Sequence, residues 1–429
     1  MRLFLLLPLS YPGRMRLFYC LAFLTLFIGQ CQSQFRPPQV EITPRDTVNY
    51  GFFRQDENQI ENAGYLDPFF QKLYEQRIRG GQKISIVHIG DSHILGNFLT
   101  REVRARLQDA FGDAGRGMIF PYRLAGSNGP KDYLVETNAR WIGSNCQRVL
   151  DAETPFGISG FSIQTTNLNA ELTFRLRDTA TSETRNFTKV TVFQHKTGYE
   201  YDIEVLDEMS GQKAELFVED QFSQSYYFDR PVSQATVRAR KLTSQQKRVT
   251  LDGIALENEL SGVVYHSIGV NGAKYQDFVR AKYFARQVAE LAPDLIIISC
   301  GTNEAQGRTE PTYLRRSIQN LIERLQEHSP NALIMLTTPA DSYLRNGRSF
   351  NPNMVEVSNT IRKLARDKGY ALWDLHDISG GENSAQNWKS SGLMSSDSVH
   401  YSKIGYAVQG KLFYQSLIKG YNAFALAKQ

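Results

Sequence analysis

The sequence predicts an α/β fold in which a parallel sheet, covered by helices on both faces, is interrupted by an inserted β-sandwich. Three observations carry this expectation. Short apolar runs alternate with helix-periodic stretches around residues 83–111 and again beyond residue 263. Between residues 126 and 262 the helix signals nearly vanish, and short runs rich in Val, Tyr, Phe and Thr recur between turn residues. The length of 429 residues suits about two domains, or one domain carrying an insertion. The expected organisation is an export signal over residues 1–34, a first α/β part over 35–125, the sandwich over 126–262 and a second α/β part over 263–429.

Each element has its own warrant. Residues 17–29 form an apolar run behind Arg14 and Arg16, too short for the roughly 20 residues of a bilayer span but suited to a signal peptide. Cys31 follows Ile28, Gly29 and Gln30, a pattern similar to a lipoprotein cleavage site except that Gln30 stands where Gly or Ala is usual, so a lipid anchor at Cys31 and ordinary cleavage both stay open. Residues 83–89, Lys-Ile-Ser-Ile-Val-His-Ile, read as a strand ending at Gly90. Leu99, Val103, Leu107 and Phe111 then recur at helical spacing. In the middle of the chain, residues 170–176, 189–194, 201–206, 214–218, 235–239 and 248–251 alternate polar and apolar positions, as half-buried sandwich strands do. Beyond them, residues 295–299, 332–336 and 370–375 read as short buried strands separated by helices over 314–325 and 355–365. That alternation argues for a parallel sheet with chemistry at its strand C-termini.

Composition excludes several classes. With 41% hydrophobic and 22% charged residues the chain is neither disordered nor a polytopic membrane protein. The excess of 49 basic over 44 acidic residues is spread without a basic run, which argues against a nucleic-acid partner. Only Cys146 and Cys300 fall in the folded body, too few for a disulfide framework. Cys300 ends an apolar strand and reads as a structural core thiol.

Four segments carry candidate chemistry. In Gly90-Asp91-Ser92-His93, the end of a strand exposes the Ser92 hydroxyl beside backbone N–H groups, as a nucleophile requires, although Asp-Ser pairs also cap helices. Asp397-Ser398-Val399-His400 sets a carboxylate three residues before an imidazole, a spacing for a base and its orienting acid, or again for a helix cap. Asn303, in Gly301-Thr302-Asn303-Glu304, offers a side-chain amide donor after a buried strand. Gly272, in Asn271-Gly272-Ala273, offers a backbone donor without a side chain in the way. Either could equally be a plain turn. Asp374 and Asp377 are alternative partners for His400, with the spacing favouring Asp397, and His93 and His376 are candidates for substrate contact or for ordinary loop roles. The remaining histidines form no ligand set, so no metal and no cofactor is expected.

Taken in chain order, Gly90-Asp91-Ser92, Gly272, Gly301-Thr302-Asn303 and Asp397 with His400 resemble the motifs of the SGNH, or GDSL-type, hydrolases. The resemblance implies a flavodoxin-like sheet, a Ser92–His400–Asp397 triad, and an oxyanion hole from the N–H groups of Ser92 and Gly272 and the amide of Asn303. Two positions depart from the family pattern: His93 stands where Leu is usual, and Glu304 where Asp often follows the Asn. The Gly-Asp-Ser-His block and the inserted sandwich resemble the exported peptidoglycan O-acetylesterases of Gram-negative bacteria. For those the resemblance implies an acetylated glycan polymer as partner, a carbohydrate-binding-module-like insert, and a place in the periplasm or at the outer membrane. Other readings stay open. They are an esterase on acetylated xylan or on lipids, an O-acetyltransferase in which a sugar hydroxyl replaces water, and a non-catalytic glycan-binding envelope protein.

Overall fold

The computed structural model describes residues 38–148, 155–177 and 186–428. The expected signal peptide over 1–34, and Cys31 with its lipid anchor, lie outside these residues. Five strands pair in parallel: β1 (Lys83–Gly90), β2 (Gly262–Gly269), β3 (Leu295–Ser299), β4 (Leu333–Thr337) and β5 (Ala371–Trp373). Their order across the sheet is β2-β1-β3-β4-β5. This is the flavodoxin-like order, in which the chain reverses direction of travel on either side of β1 and opens a crevice at the strand C-termini. The register sets Gly90 of β1 level with Gly269 of β2 and Ser299 of β3, so three strand ends meet at one place.

The runs are predominantly apolar because both faces of the sheet are covered. The period of two sorts side chains to either side. Ile84 and Ile86 of β1, with Leu295 and Ile297 of β3, pack beside Phe70, Leu107 and Phe413 from the helices Asp67–Arg79, Phe98–Phe111 and Lys403–Ala427. Val87 and Ile89, with Ile296 and Ile298, pack beside Ile318 and Ile361 from the helices Pro311–His328 and Asn353–Lys368. None of the described helices is long and apolar enough to cross a membrane.

The remaining strands are antiparallel. One sheet runs Glu215–Glu219, Ser223–Val232, Phe187–Phe193, Gly253–Glu257 and Gly117–Ile119. A second runs Tyr133–Thr137, Glu171–Leu176, Gln234–Arg240, Asp202–Asp207 and Gln212–Lys213. The two face each other: Phe174 of one meets Phe187 of the other at 5.9 Å, and Tyr226 OH donates to Ile203 O at 3.0 Å. A third sheet joins Val249–Leu251, Phe161–Thr165 and Ile142–Asn145. Antiparallel pairing begins at Gly117–Ile119, ahead of residue 126, because that three-residue strand pairs with Gly253–Glu257 and is too short to show a period. The apolar cluster inside the sandwich, with Phe174, Val190 and Val237, is continuous with Val87 and Ile296 of the parallel sheet.

A buried charge knot ties the helix after β1 to the start of this region. Asp132 Oδ2 accepts from Arg104 at 3.1 Å and from the Asn97 amide at 2.9 Å, and Oδ1 accepts from Arg116 at 3.0 Å. The three charged side chains are 0–4% exposed. Burial alone would raise the Asp132 carboxyl, but Arg116 and Arg104 outweigh it and pull it down to about 2. Removing the charge takes from two buried guanidiniums the carboxylate that they share. Asp132→Asn should therefore cost about 3–5 kcal/mol in urea unfolding, and a loss below about 1 kcal/mol, the level of an exposed pair, would show that the knot does not hold the fold.

Candidate active site

Ser92 lies at the end of β1, on a helix only four residues long, Ser92–Leu95. Asp91 caps it, its Oδ1 accepting the His93 N–H at 2.9 Å. This turn rests directly on the neighbouring strand ends, which only residues without a Cβ permit. A Cβ on Gly269 would stand 2.5 Å from Leu95 Cα and 2.9 Å from Asp91 O, and one on Gly90 would stand 2.6 Å from Ser299 O.

His400 reaches Ser92 from the far end of the chain. Its Nε2 lies 2.8 Å from Ser92 Oγ, and its Nδ1 lies 2.6 Å from Asp397 Oδ2. With Nδ1–H committed to the carboxylate, the neutral imidazole presents Nε2 as an acceptor to the serine hydroxyl. Asp397 Oδ1 also accepts the N–H groups of Val399 at 3.0 Å and His400 at 2.9 Å. Burial works to raise the Asp397 carboxyl, but the bonds from the His400 ring and these N–H groups prevail and hold it well below the usual range. These bonds favour the ionised form of the carboxylate. Ser398, between the two, is held in the left-handed region at φ 59, with its carbonyl accepting Tyr343 N–H at 3.0 Å. The helix that follows is capped by Ser402, which accepts Gly405 N–H at 3.1 Å, so capping is not what Asp397 and His400 are placed for.

Asp374 and Asp377 are engaged elsewhere. Asp374 binds Arg362 at 2.5 and 3.0 Å and Thr338 at 2.7 Å, while Asp377 pairs with Arg54 at 2.6 Å. His376 is buried, with its N–H on Thr338 Oγ1 at 2.9 Å, and makes no hydrogen bond to Ser92, His400 or Asp397. His93 is close by: its ring centroid is 5.1 Å from that of His400, and its Nδ1 is 3.0 Å from Tyr406 OH. Burial, and then the adjacent His400, push His93 down to about 3, so it is a neutral wall beside the imidazole and adds no charge. His88 is a core residue held by Tyr265 OH at 2.7 Å and Ser299 Oγ at 2.6 Å.

The expected donors follow the ends of three neighbouring strands, β1, β2 and β3. Among the described residues neither Ser92 N–H nor Gly272 N–H has a hydrogen-bond partner. Gly272 takes φ +74 in the turn after β2, a conformation that glycine adopts freely. Asn303 sits on the short helix Thr302–Gln306 after β3, entered through Gly301 at φ +127. Its Nδ2 donates to Asp91 Oδ2 at 3.2 Å and to Ala273 O at 3.1 Å. Both amide hydrogens are therefore occupied, by long bonds, and donation to a third acceptor requires one of them to be shared. Asp91 is more than a cap: its second oxygen orients Asn303 and links the Ser92 turn to the end of β3. Glu304, fully buried, accepts Tyr275 N–H at 2.8 Å, and burial raises its carboxyl to about 7. Cys146 and Cys300 are buried thiols, both pushed up by burial. Among the described residues no three His, Cys, Asp or Glu side chains are grouped to hold a metal ion.

Two residues at this site have no motif in the sequence. Arg345 donates to Asn303 Oδ1 at 3.2 Å, and Ser395 Oγ donates to Asp397 Oδ1 at 2.9 Å. Chemically, the arrangement can deprotonate a serine hydroxyl, hold the resulting imidazolium, and offer N–H donors to an oxyanion beside it.

Residues 249–408 match the model of the GDSL-like lipase/acylhydrolase family. Gly272, Asn303, Asp397 and His400 fall inside the match, and Ser92 is set apart from it by the antiparallel strands. No curated protein matches the chain. A solved structure described as a peptidoglycan O-acetylesterase in action superposes with a TM-score of 0.70 at 23% identity, over 85% of this chain and 99% of the other. At lower similarity stand an acetyl xylan esterase (TM-score 0.30, 23% identity, 36% of this chain and 81% of the other) and a lipase/acylhydrolase from Enterococcus faecalis (TM-score 0.30, 18% identity, 37% and 77%). The first likeness establishes a shared fold across both the parallel and the antiparallel regions.

Burial sets one measurable property of the site. It raises the Asp91 carboxyl to about 6, although the His93 N–H, His400 and Asn303 act to lower it. An unfolded Asp titrates near 3.9, so the native state binds more protons between roughly pH 4 and 6 and is destabilised as pH rises through that window. Asp91→Asn keeps the cap and removes the titration. Its urea-unfolding stability should be flatter across that window than that of the parent, and an unchanged slope would place the titration elsewhere.

Proposed function

We propose that this chain, a carboxylic ester hydrolase carrying a GDSL-like lipase/acylhydrolase domain, removes O-acetyl groups from a glycan, with peptidoglycan as the favoured polymer. The observation that carries the reading is the unbroken chain Ser92 Oγ, His400 Nε2, His400 Nδ1 and Asp397, at 2.8 and 2.6 Å, standing at the crevice beside β1. His400 takes the Ser92 proton as Oγ attacks the acetyl carbonyl, and Asp397 stabilises the imidazolium. The oxyanion is met by the N–H groups of Ser92 and Gly272 and by the Asn303 amide as its bond to Ala273 O or to Asp91 loosens. Each such donor is worth about 3 kcal/mol in the transition state. The sugar oxygen leaves with the proton from His400, and Ser92 remains acetylated. Water, deprotonated by His400, then attacks the ester and releases acetate.

The glycan reading draws support from the likeness to the peptidoglycan O-acetylesterase structure over 85% of the chain, sandwich included. With it goes export to the periplasm or outer membrane, supported by the apolar run over 17–29 behind Arg14 and Arg16, and a role for the sandwich in holding the polymer.

Acetate release from O-acetylated peptidoglycan, with acetylated xylan as comparison, tests both layers of the reading. Release from peptidoglycan should exceed that from xylan, and Ser92→Ala should lower kcat by about 10⁴- to 10⁶-fold. Release from xylan alone would move the substrate to other polysaccharides, and turnover surviving in Ser92→Ala would remove Ser92 as the nucleophile.

A further inference from the structure

Arg345 is a cation bonded to Asn303 that takes no part in the proton transfers of the acyl-transfer steps. It stands on a hairpin loop closed by the Tyr343–Phe350 bridge and by Leu344 N–H on Ser349 O at 2.8 Å. The loop is pinned to both halves of the site. On one side Gln306, from the helix of Asn303, donates to Tyr343 O at 2.7 Å and accepts Arg345 N–H at 3.1 Å. On the other, Tyr343 N–H binds Ser398 O within the turn of Asp397 and His400. The guanidinium donates once, from Nη2 to Asn303 Oδ1 at 3.2 Å. It is otherwise exposed, and among the described residues no carboxylate pairs with it. Arg348, on the same loop, is also exposed and has no carboxylate partner among the described residues, but its guanidinium makes no hydrogen bond to the site.

A guanidinium carries five N–H donors in a planar fork that fits a carboxylate. One bond to an amide oxygen leaves the rest available to solvent. The attachment point matters as well: a group bound there lies next to the amide proposed to meet the oxyanion. We propose that Arg345 binds a free carboxylate carried by the substrate close to its acetyl ester, and that the same guanidinium positions the Asn303 amide with its nitrogen toward the Ser92 turn. This rests on the reading of Ser92 as an esterase nucleophile and adds a substrate class, acetyl esters of sugars or hydroxy acids that bear a carboxylate.

The test uses the acetate ester of a hydroxy acid and the methyl ester of the same compound, with the parent enzyme, Arg345→Met and Arg345→Lys. The parent should prefer the free acid by roughly 10- to 100-fold in kcat/KM, mostly through KM, the range of a charge-assisted hydrogen bond. Arg345→Met should abolish the preference and Arg345→Lys should restore part of it, since the charge returns without the fork. Both variants should also lose kcat on both esters, by less than about tenfold, as Asn303 loosens. An equal rate on acid and methyl ester by the parent, or a preference that survives in Arg345→Met, would overturn the assignment. If both small esters are cleaved with the expected preference but acetylated peptidoglycan is not, the glycan reading fails and the role of Arg345 stands. If the glycan is cleaved without any acid preference, the role of Arg345 fails alone.

Discussion

The close approach of the Ser92–Leu95 turn to the ends of three parallel strands is the constraint on which the site depends. Gly90, Gly269 and Ser299 are level in the sheet, and a Cβ at either glycine would collide with the turn or with the adjoining strand. Lacking side chains there, the chain can leave β1 and turn at once into a helix whose first residue is the serine. Everything else is placed relative to that point. β2 delivers Gly272, β3 delivers Asn303, and Asp91 bonds to Asn303 across the gap. The placement of this half of the site is thus tied to sheet register, a rigid quantity.

The second half of the site is held differently. Asp397 and His400 belong to a tight turn with Ser398 at positive φ, strapped to the hairpin loop through Tyr343 and closed by the Ser395 N–H bond to His400 O at 2.9 Å. Backbone N–H groups and the ring together keep Asp397 ionised, which fixes the imidazole tautomer without burying an unpaired charge. His93, neutral and half-buried beside the ring of His400, leaves that imidazole free to gain a proton without a neighbouring cation.

Much of this was legible in the sequence where a physical rule acts locally. The run Leu295–Ser299 reads as a strand because burial on both faces demands continuous apolar residues. The four motif segments are legible because each places a chemically distinctive residue immediately after a strand or ahead of a capped helix. Ser223–Val232 was not legible: its Ser223, Gln224 and Ser225 are buried, and Ser225 bonds Thr191 at 2.9 Å, so polarity there is satisfied by a partner strand and not by water. Arg345 was equally hidden, since its bond to Asn303 spans 42 residues and its loop has no periodicity. The choice among Asp374, Asp377 and Asp397 was open on composition alone, and is resolved by Arg362 and Arg54, which occupy the first two.

The account stands or falls on whether Ser92 becomes acetylated during turnover. The direct measurement is rapid-quench mass spectrometry of the enzyme mixed with an activated acetyl ester, with peptide mapping of the adduct. The account predicts a transient acetyl group on the peptide containing Ser92, which accumulates and decays at the rate of acetate release and is absent from His400→Ala. Turnover at the same rate with no adduct, or with the acetyl group on another residue, would contradict it.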